Sequence, residues 1–129
     1  MSMRKYVQSL LDNTPGLLAI VITDKDGVLI LKVCSKDNPE LSQRSSYVAP
    51  FASASDQASK LGLGRNQTIV CLYDKFQVVS MNKGNVHMHF VGVATGNTGD
   101  FLTMDSQLEP IMPSLEELVN VVRSQGDVL

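Results

Sequence analysis

Leu17 to Ile22 reads LLAIVI, apolar at every position, and this run limits the possible folds more than any other stretch. A strand with one wet face alternates apolar and polar residues. An unbroken run bounded by turn residues is therefore predicted to be a short strand covered on both faces, central in a sheet. Asp24-Lys25-Asp26-Gly27 follows, with Gly27 able to take positive φ, and Val28 to Cys34 is a second β-rich run. The pair is predicted to be a hairpin.

The rest of the chain supplies partners for that hairpin. Met3, Tyr6, Val7, Leu10 and Leu11 recur at i, i+3, i+4, i+7 and i+8, one face of an amphipathic helix, and Asn13-Thr14-Pro15-Gly16 ends it. Lys36 to Ser46 is polar and includes Asn38-Pro39, as a loop requires. A middle helix is expected over 47–61, closed by Gly62 and built from small residues (Ala52, Ser53, Ala54, Ser55, Ala58, Ser59) that permit close backbone approach. Three β-like runs come next: Gln67 to Tyr73, Phe76 to Asn82 after an Asp74-Lys75 turn, and a run from Val86 after Lys83-Gly84-Asn85. In the last, Val86, Met88 and Phe90 share one face, and His87 and His89 the other. Phe101, Met104, Leu108, Ile111, Met112, Leu115, Leu118, Val119 and Val122 then follow helical spacing. Pro110 and Pro113 interrupt them, so a kink, or a short helix before a longer one, is expected. The predicted order is α-β-β-α-β-β-β-α, an α/β (α+β) domain with a five-stranded antiparallel sheet flanked by helices. Its 129 residues, 43% of them hydrophobic, suit one domain over 1–125, with 126–129 as a disordered tail.

Charge and motifs narrow the chemistry. A net charge of −2 offers no basic excess for a phosphate backbone, so nucleic acid is not an expected partner. The N-terminus lacks the apolar stretch of a signal peptide, no run is long enough to span a bilayer, and Ser2 excludes myristoylation, so an intracellular protein is expected whose membrane address comes from a partner. Cys34 and Cys71 sit in apolar runs as reduced sheet cysteines. Two histidines at i, i+2 are too few ligands for a metal, and the expectation is a partly exposed or interface strand face. Asp24 to Gly27 lacks the later ligands of a calcium loop, and Gly62-Leu63-Gly64 has the wrong context for dinucleotides. Gly96-Asn97-Thr98-Gly99 suits N-capping better than anion binding. No catalytic, cofactor or metal residue emerges. A sheet edge beside a small-residue helix, by contrast, suits pairing with another chain.

These segments resemble the roadblock family, in its MEK-binding scaffold branch. The resemblance is carried by Gly16 to Val28, by Phe51 to Val70 (FASASDQASKLGLGRNQTIV), by Phe76-Gln77-Val78-Val79 and by Asn97-Thr98-Gly99, with DQASKLGLG its most specific block. It implies a roadblock, or profilin-like, fold and a non-catalytic adaptor that forms an obligate heterodimer with a second roadblock subunit. The middle helix and third strand of each chain would join into a ten-stranded sheet. On this sequence that interface falls on Phe51, Ala54, Ser55, Ala58, Ile69, Cys71 and Tyr73. The resemblance further implies other Ragulator subunits, Rag GTPases, and the MEK and ERK kinases as partners. It implies TOR kinase signalling at the cytoplasmic face of late endosomes and lysosomes, with membrane attachment through a lipidated partner. The extra C-terminal residues, Pro113, and the polar stretch Gly84 to His89 depart from the family pattern. The competing readings are a small-molecule-sensing or small-GTPase-regulating profilin-like module, and a metal enzyme built on His87 and His89.

Overall fold

A computed structural model describes residues 2–36 and 68–127. Helix α1 spans Met3–Asp12, and β1 (Leu17–Asp24) and β2 (Leu29–Cys34) form the expected hairpin. Strands β3 (Thr68–Leu72), β4 (Phe76–Lys83) and β5 (Val86–Val93) are followed by α2 (Thr98–Leu102), α3 (Met104–Leu108), a 3-10 turn (Glu109–Ile111) and α4 (Met112–Asp127). The middle helix expected over 47–61 lies outside the described residues.

Each local prediction has a visible cause. Ser2 caps α1 by accepting from the Lys5 amide at 3.2 Å, and Val7 and Leu11 are its buried positions. Asp24 holds the β1–β2 turn, its Oδ1 accepting from the amides of Asp26 (2.8 Å) and Val28 (2.9 Å). Gly84 takes a φ of 79° at the first position of the two-residue β4–β5 turn, where a side chain would be strained. The closing apolar segment is interrupted as expected before a longer last helix, but by two short helices and a 3-10 turn rather than one short helix. Pro110 falls in the 3-10 turn, and Pro113 sits in the first turn of α4, where a missing amide costs no internal hydrogen bond. α4 continues to Asp127, so two of the four residues set aside as a tail are helical.

All ladders are antiparallel, in the order β2-β1-β5-β4-β3. β1 is an interior strand, buried along nearly its whole length, as its unbroken apolar run requires. The main core lies on one face. There Ile20, Ile22, Leu31, Val33, Val79, Met81, Met88 and Phe90 meet Val7 and Leu11 of α1 and Phe101, Met104, Leu108, Leu115 and Val119 of the C-terminal helices. A smaller cluster on the opposite face centres on Ala19 and Val91, with Leu18, Cys34, Phe76 and Val78 beside it. Gly92 permits the close packing of α2, because a Cβ there would stand 2.3 Å from the Phe101 ring.

Candidate functional site

The two outer strands of the sheet are β2 and β3. Every strand directs its backbone groups alternately to either side, and the first bonded pair fixes which residues point where. In the β3–β4 hairpin the Tyr73 amide donates to Phe76 O at 2.8 Å. With the register Cys71↔Val78 and Ile69↔Ser80, this makes Tyr73, Cys71 and Ile69 the residues bonded to β4. Thr68, Val70 and Leu72 therefore aim N–H and C=O away from the sheet, and among the described residues no strand takes them up.

The side chains along this edge divide by face. Val70 and Leu72 stand opposite Val79 and Gln77 on the helix-covered face, yet are 40% and 73% exposed. Ile69, Cys71 and Tyr73 stand on the other face, the first two half-buried and Tyr73 exposed. Partial burial, and next the neighbouring Cys71, push the Tyr73 phenol pKa up. A strand edge with three outward amide–carbonyl pairs and exposed apolar side chains is built for β-addition.

Of the interface residues expected from sequence, Ile69, Cys71 and Tyr73 lie together on this strand and its end, while Phe51, Ala54, Ser55 and Ala58 lie outside the described residues. Sequence reasoning missed Thr68, Val70 and Leu72, which carry the outward backbone groups. The signal was available: once Asp74-Lys75 is taken as a two-residue turn, Tyr73 must pair with Phe76, and parity assigns the rest. That this strand lies at the edge was implied by the family resemblance, through the ten-stranded sheet of paired subunits, and the observed order β2-β1-β5-β4-β3 agrees.

The other candidates have structural roles. His89 is fully buried rather than on a partly exposed strand face, its Nδ1 2.8 Å from Ser80 Oγ, and His87 is nearly as buried. Burial pushes the His89 imidazole down to about 4, with His87 adding to the fall. Burial also lowers His87, against the opposing pull of Asp24 and Asp26. Asn97 caps α2 by accepting from the Gly99 amide at 2.9 Å. Thr98 Oγ1 donates to Gln77 Oε1 at 2.5 Å, and Gln77 Nε2 donates to Val93 O at 3.0 Å and Gly96 O at 2.9 Å. That network ties the β5–α2 loop to β4. Cys34 and Cys71 are half-buried free thiols, and burial pushes Cys34 up, away from the reactive thiolate. A depression of about 230 Å³ between the end of α1 and α2–α3 is lined by Asn13, Thr14, Pro15, Asp100, Thr103, Met104 and Gln107, a more polar lining than small-ligand pockets favour. Among the described residues no helix is long and apolar enough to cross a membrane.

A five-stranded antiparallel sheet in this order with, among the described residues, helices across one face and an outer strand left open has the form of a roadblock-class fold. A roadblock/LC7 domain from Streptomyces avermitilis superposes with a TM-score of 0.66, covering 90% of this chain and 99% of that one at 12% identity, a likeness of fold alone. The sequence is more specific. The pattern described as "Mitogen-activated protein kinase kinase 1 interacting" matches residues 1–122, and the chain belongs to that family. It is 41% identical over 116 residues to the Ragulator complex protein LAMTOR3 homolog of Drosophila melanogaster, covering 90% of this chain and 94% of the relative. It is 36% identical over 120 residues to Ragulator complex protein LAMTOR3 of Danio rerio, covering 93% and 97%.

Proposed function

We propose that this chain is a non-catalytic adaptor subunit of a Ragulator-type complex, and that it works by completing its sheet with a second roadblock subunit. The open β3 edge carries this reading. Thr68, Val70 and Leu72 present backbone groups that no described strand takes up, next to apolar side chains, a combination that stays soluble and stable when another chain covers it. Ile69, Cys71 and Tyr73 flank the same seam on the opposite face, and Phe51, Ala54, Ser55 and Ala58 are assigned to it by the family resemblance.

Beyond the heterodimer, the family and its Ragulator relatives support a place among other Ragulator subunits, with Rag GTPases, TOR kinase signalling and the MEK and ERK kinases downstream. Attachment to the late endosomal or lysosomal surface then comes through a lipidated partner subunit. Coexpression with a second roadblock subunit, followed by size-exclusion chromatography with light scattering, tests the central claim. A stable one-to-one complex is expected, with the lone chain insoluble or self-paired. A well-behaved monomer that ignores every roadblock subunit overturns it.

A further inference from the structure

The C-terminal end of α1 carries chemistry that the chain leaves unmet. No Lys or Arg stands in the last turn of this helix, so nothing in α1 itself offsets the partial negative charge of its end. Thr14 serves the two earlier carbonyls, its Oγ1 donating to Leu10 O at 2.8 Å and its amide to Leu11 O at 3.2 Å. The next amide is missing, because residue 15 is proline. No described residue donates to the carbonyls of Asp12 or Asn13.

This helix end forms one side of the depression of about 230 Å³, and α2–α3 form the other. Two contacts hold the sides at a fixed distance: Tyr6 Oη donates to Gln107 O at 2.6 Å, and Thr14 Oγ1 lies 3.6 Å from Met104 Sδ. On the α2 side stands Asp100, exposed and without an ion-pair partner among the described residues, whereas Asp105 is matched by Lys83 Nζ at 2.7 Å. The carboxamide oxygens of Asn13 and Gln107 add neutral acceptors. No Lys, Arg or His lines the space.

An acceptor-rich hollow with one unmatched carboxylate selects a cation. A metal ion is ill suited, since a single carboxylate is too few charged ligands, and a whole small molecule needs more room, roughly 300–1,000 Å³. No aromatic ring lines the space to hold a quaternary ammonium. A guanidinium fits on each count, because it is planar, keeps its charge, and has several N–H donors to share among a carboxylate, amide oxygens and helix-end carbonyls. Asn13, Asp100 and Gln107 are all exposed, so such a group can enter from outside on a long side chain.

We propose that this depression is a docking site for an arginine side chain of a partner protein. It uses no residue of β3, and so stands apart from pairing through the sheet.

The test titrates the isotope-labelled full chain, in its complex with a second roadblock subunit, with N-acetyl-arginine methylamide and follows the backbone amide resonances. The lysine analogue and the neutral citrulline analogue are the controls. Saturable shifts are expected at Asn13, Thr14, Asp100 and Thr103, with a Kd in the millimolar range, at least about fivefold tighter than for lysine and absent for citrulline. Asp100→Asn should weaken binding at least about fivefold. Gln107→Lys, which puts an ammonium of the protein's own into the space and leaves Asp100 in place, should weaken it as much, while Glu109→Gln should leave it unchanged. Equal shifts with citrulline, equal affinity for lysine, or indifference to both weakening substitutions overturns the proposal. Failure of the two subunits to pair sinks the sheet-pairing reading alone, and the titration is then scored on the free chain.

Discussion

The two edges of this sheet meet the same physical problem in opposite ways. On β2 the outward carbonyls are those of Lys32 and Cys34, since the Ser35 amide donates to Leu18 O and fixes the alternation. The chain covers them itself: Arg4 Nη1 donates to Lys32 O at 2.9 Å and Gln8 Nε2 to Cys34 O at 3.3 Å, both from one face of α1. On β3 the described residues provide no such cover, and Val70 and Leu72 add exposed apolar surface. An edge closed by local side chains protects against stray pairing, and an edge left open with apolar flanks invites it. Under the proposed function, this asymmetry among the described residues would leave one margin for pairing, so that pairing through the sheet would stop at two chains instead of propagating.

The most severe way to break this contrast is a proline at an outward-facing position of β3. Val70→Pro removes an amide aimed at the partner and none from the ladder to β4, so the fold should survive while affinity for a second roadblock subunit falls at least about 100-fold, measured by calorimetry. Cys71→Pro, one residue on, removes a ladder amide and should unfold the sheet. If Val70→Pro pairs normally, β3 is not the interface.

A smaller effect comes from the strands between the edges. His89 is neutral when folded, with its pKa near 4, and returns to about 6.5 when unfolded. Below that value the unfolded chain binds the extra proton, so stability is lost as pH falls. The loss from His89 alone should be about 2 kcal/mol between pH 7 and pH 5. Urea titrations at the two values should show it, and His89→Gln should flatten the difference. Because Ser80 and His89 join β4 to β5, hydrogen exchange should rise in acid on the β3 side before the β2 side.

The mildest change opens the closed edge. Arg4→Ala/Gln8→Ala strips both carbonyl partners from β2 and should cost about 1 kcal/mol in thermal or urea unfolding, since water can replace exposed bonds. Its sharper consequence is association. At high concentration the double variant should self-associate through β2 in light scattering where the wild type does not, and a variant as well behaved as the parent would show that α1 is not what guards that edge.

Much of this architecture was legible in the residues. The apolar run Leu17 to Ile22 placed β1 inside the sheet, period-2 alternation put Val86, Met88 and Phe90 opposite His87 and His89, and the α1 stripe matched its buried face. The closing segment was read in part: the prolines announced the break before the long α4, but helical spacing does not reveal the earlier break at Thr103 between α2 and α3. The histidines misled for another reason. Polarity suggested a partly exposed or interface face, and of these the partly exposed one fails, because a neutral imidazole bonded to Ser80 can be fully buried. At the candidate site, Ile69 and Cys71 fall on β3 and Tyr73 just after it, while the outward-facing Val70 and Leu72 were passed over.

Local order therefore belongs to the sequence: which residues form strands, where turns fall, and, through the Asp74-Lys75 turn, which β3 groups bond inward. Those features depend on φ/ψ preferences and side-chain spacing within a few residues. The sequence also carried the family. Sheet order was decided only in the tertiary structure, because strands distant in the chain compete for the same neighbours and the outcome depends on how the whole core packs. That competition set β1 against β5, gave β2 the cover of α1, and left β3 outermost among the described strands, with Val70 and Leu72 exposed.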